Sequence, residues 1–219
     1  MDGVTRVLIV DDDPLVRSAL SLMLGGRSDL ELVGEAVDGA DGVRRSGELH
    51  PDVVLMDIRM PVLNGLEATR RLTELPRPPH VIVLTTFDAD DYVLGALRAG
   101  ADGFLLKDTP PAEIVAAIHK VVDGESMLSP TATRTLIRQV RDHGEDDRAH
   151  AAQTRLAALT ERESEVALAV GRGLSNAEIA AELYLSVATV KAHVSRLFDK
   201  LGATNRVQIA ICVHDAGMV

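Results

Sequence analysis

The sequence predicts two units: an α/β unit doubly wound around a five-stranded parallel sheet, then a small all-α unit of four helices. Three observations predict this. Five short, continuously apolar runs alternate with amphipathic stretches between residues 6 and 122. The alternation stops after Ser129-Pro130. Beyond Leu159, helix-capping pairs recur with no strand-like run between them. A chain of 219 residues fits two small domains at about 100–200 residues each.

The apolar runs are Arg6–Val10, Leu30–Ala36, Val53–Met56, Val81–Leu84 and Gly103–Leu106. They lack polar alternation, which suits strands covered on both faces. The intervening helix candidates are Pro14–Leu24, Ala40–Glu48, Gly65–Leu75, Asp91–Ala99 and Pro111–Val122. Asp13-Pro14 supplies a carboxylate cap followed by Pro at the first helical position, and Gly25-Gly26 closes that helix. Thr131–Val140 is weakly amphipathic, and the polar stretch Arg141–His150 reads as a mobile linker. In the last unit, Thr160 with Glu163 and Ser175 with Glu178 form capping-box pairs. Ser186 caps a third helix, and Gly171, Gly173 and Gly202 mark helix ends. The expected boundaries are a first domain over 1–127, a partly helical linker over 128–154 and a second domain over 155–219.

Composition narrows the function classes. One cysteine, Cys212, excludes a disulfide scaffold and reads as a small buried hydrophobe. No apolar run approaches the roughly 18 residues a membrane helix needs, and the acidic N-terminus is unlike a signal peptide. A cytoplasmic protein without a membrane partner is expected. Lys+Arg total 23 against Asp+Glu 33, a net charge of -10. Residues 1–130 carry 12 basic and 22 acidic groups, whereas Ser186–Arg206 carries Lys191, Arg196, Lys200 and Arg206 against Asp199 alone. The acidic total opposes non-specific coating of nucleic acid, but the local basic helix permits a focused contact.

In a doubly wound sheet the functional residues lie at the carboxyl ends of the strands. The first run ends in Asp11-Asp12-Asp13, the third in Asp57, the fourth in Thr85-Thr86 and the fifth in Lys107. Several carboxylates converging there repel one another unless a cation is present, and a hard divalent ion with oxygen ligands resolves the conflict. A carboxylate so placed is a candidate nucleophile toward a phosphoryl group. Lys107 and the Thr85 hydroxyl would then stabilise the phosphoryl oxygens. An aspartyl-phosphate hydrolase fits less well: such enzymes want Thr or Val where Leu15 stands, and further acids on a later strand. A phosphate-accepting adaptor that never touches DNA is the other alternative.

These motifs resemble a bacterial response-regulator receiver domain, with its flavodoxin-like fold. The matching residues are Val10-Asp11-Asp12, Leu55-Met56-Asp57-Ile58-Arg59-Met60-Pro61 with Asn64-Gly65, Thr85, and Phe104-Leu105-Leu106-Lys107. The resemblance implies that Asp57 accepts phosphoryl from a sensor histidine kinase. It implies that Asp11, Asp12, Asp57 and the backbone carbonyl of Arg59 hold Mg²⁺ or Mn²⁺, and that Thr85 and Phe104 form the switch pair. No enzymatic turnover is implied beyond metal-assisted self-phosphorylation and slow autodephosphorylation. Asp108 follows Lys107 where many receivers have Pro, so the usual reason for a cis peptide there is missing.

At 100° per residue, Val190, Val194, Leu197 and Leu201 form one buried stripe of a helix. The opposite arc carries Ala188, Thr189, Lys191, Ala192, Ser195 and Arg196, small residues flanked by cations, as in a helix entering the major groove. His193 lies near the edge of the stripe. The motifs Leu159-Thr160-Glu161-Arg162-Glu163, Gly173-Leu174-Ser175-Asn176-Ala177-Glu178-Ile179-Ala180, Ala188-Thr189-Val190-Lys191 and Lys200-Leu201-Gly202 resemble the LuxR-type DNA-binding domain. With the receiver in front, the chain is similar to the NarL/FixJ-type response regulators. That resemblance implies base-facing Lys191, Ala192 and Ser195, phosphate contacts from Ser175, Asn176, Thr189, Arg196 and Arg206, and pairing of two copies through Val207, Ala210 and Ile211. A phosphorylation-dependent homodimer on a near-palindromic duplex would follow.

Overall fold

The computed structural model describes residues 4–86, 90–125, 127–128 and 146–219. The chain divides into two compact units. In the first, β1 (Thr5–Val10), β2 (Leu30–Ala36), β3 (Val53–Asp57), β4 (His80–Thr85) and β5 (Gly103–Leu106) alternate with α1 (Pro14–Leu24), α2 (Gly39–Leu49), α3 (Gly65–Thr73), α4 (Asp90–Ala99) and α5 (Pro111–Val122). Every strand pair is parallel, in the order β2-β1-β3-β4-β5. A two-residue strand the sequence did not announce, β6 (Met127–Leu128), adds to the β5 edge. The predicted helix over 131–140 lies outside the described residues.

The apolar runs form strands because their side chains are buried on both sides of the pleat. Val7, Ile9, Leu55, Ile82, Leu84 and Leu105 pack against Leu20 and Leu24 of α1 and Ile114, Ile118 and Val121 of α5. Their alternates Leu8, Val54, Val83 and Phe104 are equally buried, on the face that α2, α3 and α4 cover. Asp13 caps α1, its carboxylate accepting the Leu15 N–H at 2.8 Å. Asn64 caps α3 through the Glu67 N–H at 2.9 Å.

The second unit has α6 (Asp146–Leu156), α7 (Glu161–Gly171), α8 (Asn176–Glu182), α9 (Val187–Leu201) and α10 (Arg206–Asp215). The expected four helices are present, and α6 corrects the linker expectation. Residues 146–150 are helical, and Ala152 and Leu156 belong to the core with Val166, Ile179, Val190, Leu197 and Val213. The predicted stripe of α9 holds: its buried residues are Val190, Val194, Leu197 and Leu201. Both capping boxes form, and Gly202 ends α9 in the left-handed region at φ 58°. Among the described residues no helix is long and apolar enough to cross a membrane.

Glu163 ties this core together. Its side chain is buried, accepts the Thr160 N–H at 2.8 Å and pairs with the Lys200 ammonium at 2.7 Å, joining the start of α7 to the end of α9. These partners, Lys200 first, pull its pKa from 4.5 down to about 2. The folded-state pKa is depressed, so the stabilisation is full above 4.5 and is lost as pH falls toward about 2. Glu163→Gln is expected to lower the melting temperature at pH 7, with the gap to wild type narrowing as the pH drops through that window. A gap that stays constant between pH 7 and pH 2.5 contradicts the assignment.

Candidate functional site

Reversal of strand order places the carboxyl ends of β1 and β3 side by side, and the helices that follow them, α1 and α3, leave on opposite faces, which is where a doubly wound sheet opens a crevice. Asp11 follows β1 and Asp57 ends β3; both are buried, whereas Asp12 is exposed. Ligand oxygens of Asp11, Asp12 and Asp57 all lie within 4.8 Å of one another. From the end of β5, Lys107 reaches Asp11 Oδ2 at 2.6 Å and Asp57 Oδ1 at 3.2 Å. The Lys107 N–H donates to the Thr85 carbonyl at 2.8 Å, which locks the ends of β4 and β5 together. The structure thus gathers four separated strand ends into one pocket.

Burial pushes the Asp57 carboxyl above its ordinary pKa; the Lys107 ammonium opposes this and the Asp11 carboxylate adds to it. Three carboxylates with one ammonium leave net negative charge in a partly desolvated site. That donor set, all oxygen and partly open to solvent, fits a hard divalent cation. Asp13 is committed to its helix cap. Arg59 lies two residues past Asp57 with an exposed side chain. Thr85 is buried at the end of β4, and the Phe104 ring is fully buried on adjacent β5, where Phe104 stands opposite Val83.

Gly65 makes this pocket possible. Its N–H donates to the Ile58 carbonyl at 2.9 Å, and a Cβ built there would sit 1.9 Å from the Asp57 carbonyl oxygen. Only a residue without a side chain lets α3 begin so close to the acceptor strand.

The second unit presents α9 with Thr189, Lys191, Ala192, Ser195 and Arg196 exposed along one side, opposite the buried stripe. Its N-terminus is capped by Ser186, which accepts the Thr189 N–H at 3.1 Å. Preceding it, α8 ends in a short turn, so the two helices form a helix-turn-helix. Other expected phosphate contacts are placed differently. Arg206 is buried, its guanidinium donating to Asn176 Oδ1 at 2.9 Å and to the Leu174 carbonyl; Asn176 is buried with it. These two hold the start of α8 to α10 and leave the phosphate-contact set. The half-buried Ser175 closes its capping box through Glu178. On α10, Val207 is buried, while Ala210 and Ile211 stay partly exposed. His193 is half-buried, and its Nδ1 has no hydrogen-bond partner. Sequence reading passed over Tyr184, an exposed aromatic in the turn before α9.

Known proteins share both units. Residues 7–119 match the response regulator receiver domain, and residues 157–213 match the bacterial regulatory proteins of the luxR family. Transcriptional regulatory protein LiaR of Bacillus subtilis is 38% identical over 209 residues, covering 95% of this chain and 96% of its own. Nitrate/nitrite response regulator protein NarL of Escherichia coli K12 is 33% identical over 208 residues, covering 95% of this chain and 94% of its own. The crystal structure of response regulator ChrA, from a heme-sensing two-component system, superposes with a TM-score of 0.53 at 34% identity, covering 99% of this chain and all of that one. With an acidic strand-end pocket on one unit and an outward-facing helix-turn-helix on the other, the chain belongs to the two-component response regulators of the NarL/FixJ type, in which a receiver precedes a LuxR-type DNA-binding domain.

Proposed function

We propose that this chain is a phosphorylation-switched transcription factor in which Asp57 is the phosphoacceptor. The observation that carries the reading is the convergence of Asp11, Asp12, Asp57 and Lys107 at the strand ends. An Asp57 carboxylate oxygen attacks phosphorus as the N–P bond of a phosphohistidine on the sensor kinase breaks. Lys107 neutralises charge on the transferring group, and the Thr85 hydroxyl donates to one of its oxygens. Asp11, Asp12, Asp57 and the Arg59 carbonyl would hold Mg²⁺ or Mn²⁺, which supplies charge neutralisation at the phosphoryl oxygens. Directly after the acidic loop, α1 exposes Leu15, Ser18, Ala19 and Leu22 along one face, a surface on which the donor protein can seat. The chain transfers phosphoryl to itself and loses it slowly; it is not a multiple-turnover hydrolase.

Phosphorylation adds about 1.5 to 2 negative charges beside Lys107 and Thr85. Movement of Thr85 toward that charge, with Phe104 beside it, biases the receiver toward a form that pairs. Pairing sets two α9 helices about 34 Å apart, one turn of the duplex, so that Lys191, Ala192 and Ser195 read base edges while Thr189 and Arg196 hold phosphates. Ala210 and Ile211 supply the partly exposed apolar surface for the second copy. Footprinting of the full-length protein with and without a small phosphodonor and Mg²⁺ tests this. Two protected half-sites, appearing or strengthening on phosphorylation, are expected; a single asymmetric half-site indifferent to phosphorylation overturns it.

A further inference from the structure

We propose that Tyr184 is a DNA-backbone contact, its hydroxyl donating to a phosphate oxygen beside the groove that α9 enters; this rests on the DNA-binding reading above. Two independent features of the residue lead there. The first is its backbone. Leu183 is the C-cap that follows α8, and the Leu185 N–H closes back on the Ala180 carbonyl at 2.9 Å, so Tyr184 occupies the left-handed position of the helix termination at φ 55°. Glycine is the default residue there, because any Cβ is strained at that φ and a bulky one is an outlier. The second is exposure. Tyr184 is 95% exposed, the most exposed large hydrophobic side chain among the described residues, so no intramolecular packing explains the aromatic. An exposed, strained aromatic where glycine would be more stable points to a role for the side chain outside the fold.

The neighbourhood identifies the ligand. Tyr184 stands two residues before Ser186, the N-cap of α9, and from Tyr184 to Thr189 every residue except Leu185 is exposed. Ala188, Lys191, Ala192 and Ser195 follow on the exposed side of α9, where the Lys191 ammonium pairs with Asp123 Oδ1 at 2.6 Å. A helix whose N-terminal turns enter a major groove about 12 Å wide brings the preceding turn beside the phosphates that border it. Tyrosine suits that place: the phenol donates to phosphate while the ring lies against the sugar, and only two side-chain torsions are ordered.

The test separates this role from a structural one by opposite signs. Full-length protein, phosphorylated with a small phosphodonor, is titrated with a duplex recovered from a random-sequence pool by the wild-type protein. Tyr184→Gly is expected to raise the melting temperature of the helical unit by about 4–8 °C. It is expected to weaken binding by about 3- to 10-fold, uniformly across duplex sequences and with the salt slope unchanged, since a neutral donor releases no counterion. Tyr184→Phe keeps the strain and loses most of the same affinity. Wild-type affinity in the glycine variant overturns the inference alone, and so does full affinity in the phenylalanine variant. Failure of the wild-type protein to select any duplex overturns the DNA-binding reading with it.

Discussion

Asp57→Asn protein incubated with a small phosphodonor and Mg²⁺ is expected to take up no acid-labile label, against near-stoichiometric uptake by wild type. The amide matches the carboxylate in size but carries no charge and is not a nucleophile toward phosphorus. Its fold is also expected to survive. In the unphosphorylated chain, burial and the neighbouring Asp11 disfavour the charged form of Asp57, although Lys107 compensates in part. A carboxyl with a raised folded-state pKa withdraws stability as pH rises through that value. Replacing it by a neutral isostere without divalent cation therefore leaves the melting temperature at pH 7 equal or higher. The two readouts together are diagnostic. Loss of label with a higher or unchanged melting temperature identifies an acceptor, whereas loss of both identifies a residue needed only for folding. Label persisting at wild-type level on the variant places the acceptor elsewhere and sinks the proposed switch.

The sequence made the receiver legible because its signals are local. The bounds of α1 and α5 coincide with those read from Pro14–Leu24 and Pro111–Val122, since each helix begins at a proline and ends where apolar periodicity stops. The pocket was legible for a different reason: in a parallel doubly wound sheet, polar residues that interrupt apolar runs at their carboxyl ends must meet. What escaped depends on contacts distant in sequence. Residues 146–150 look like linker because they are polar, and they are helical as the first turns of a helix whose Ala152 and Leu156 reach the core. Strand β6 is two residues long and takes its pairing from β5, so no periodicity could announce it. Arg206 reads as a surface cation, but Asn176 Oδ1 and the Leu174 carbonyl, some thirty residues away, supply partners that let it be buried. Tyr184 is invisible to pattern reading because a single aromatic carries no periodicity, and both features that distinguish it, its left-handed φ and its full exposure, exist only in the folded chain.

Gly65→Ala is expected to damage the receiver more than any other single methyl addition in the β3–α3 connection. The glycine is the first residue of α3, and its N–H bond to the Ile58 carbonyl holds the helix start against the end of β3. An alanine Cβ would lie 1.9 Å from the Asp57 carbonyl oxygen and 3.0 Å from the Ile58 Cα. The obstructing atoms are backbone, so no rotamer change relieves the contact; either the helix start moves or the acceptor strand does. Overpacking of this kind costs about 1–3 kcal/mol where side chains can yield, and the upper end or beyond applies where only backbone can. Alanine's better helix propensity, worth up to about 1 kcal/mol, acts in the opposite sense and does not offset it. Because the displaced atom belongs to the phosphoacceptor itself, the phosphorylation rate is expected to fall together with stability. A shift of the Asp57 carboxylate by about 1 Å from the Lys107 ammonium is enough to lower the rate about a hundredfold. Thermal unfolding and label uptake measured on the same preparation check both effects. A variant as stable as wild type that is labelled at the wild-type rate shows that α3 does not hold the acceptor in place.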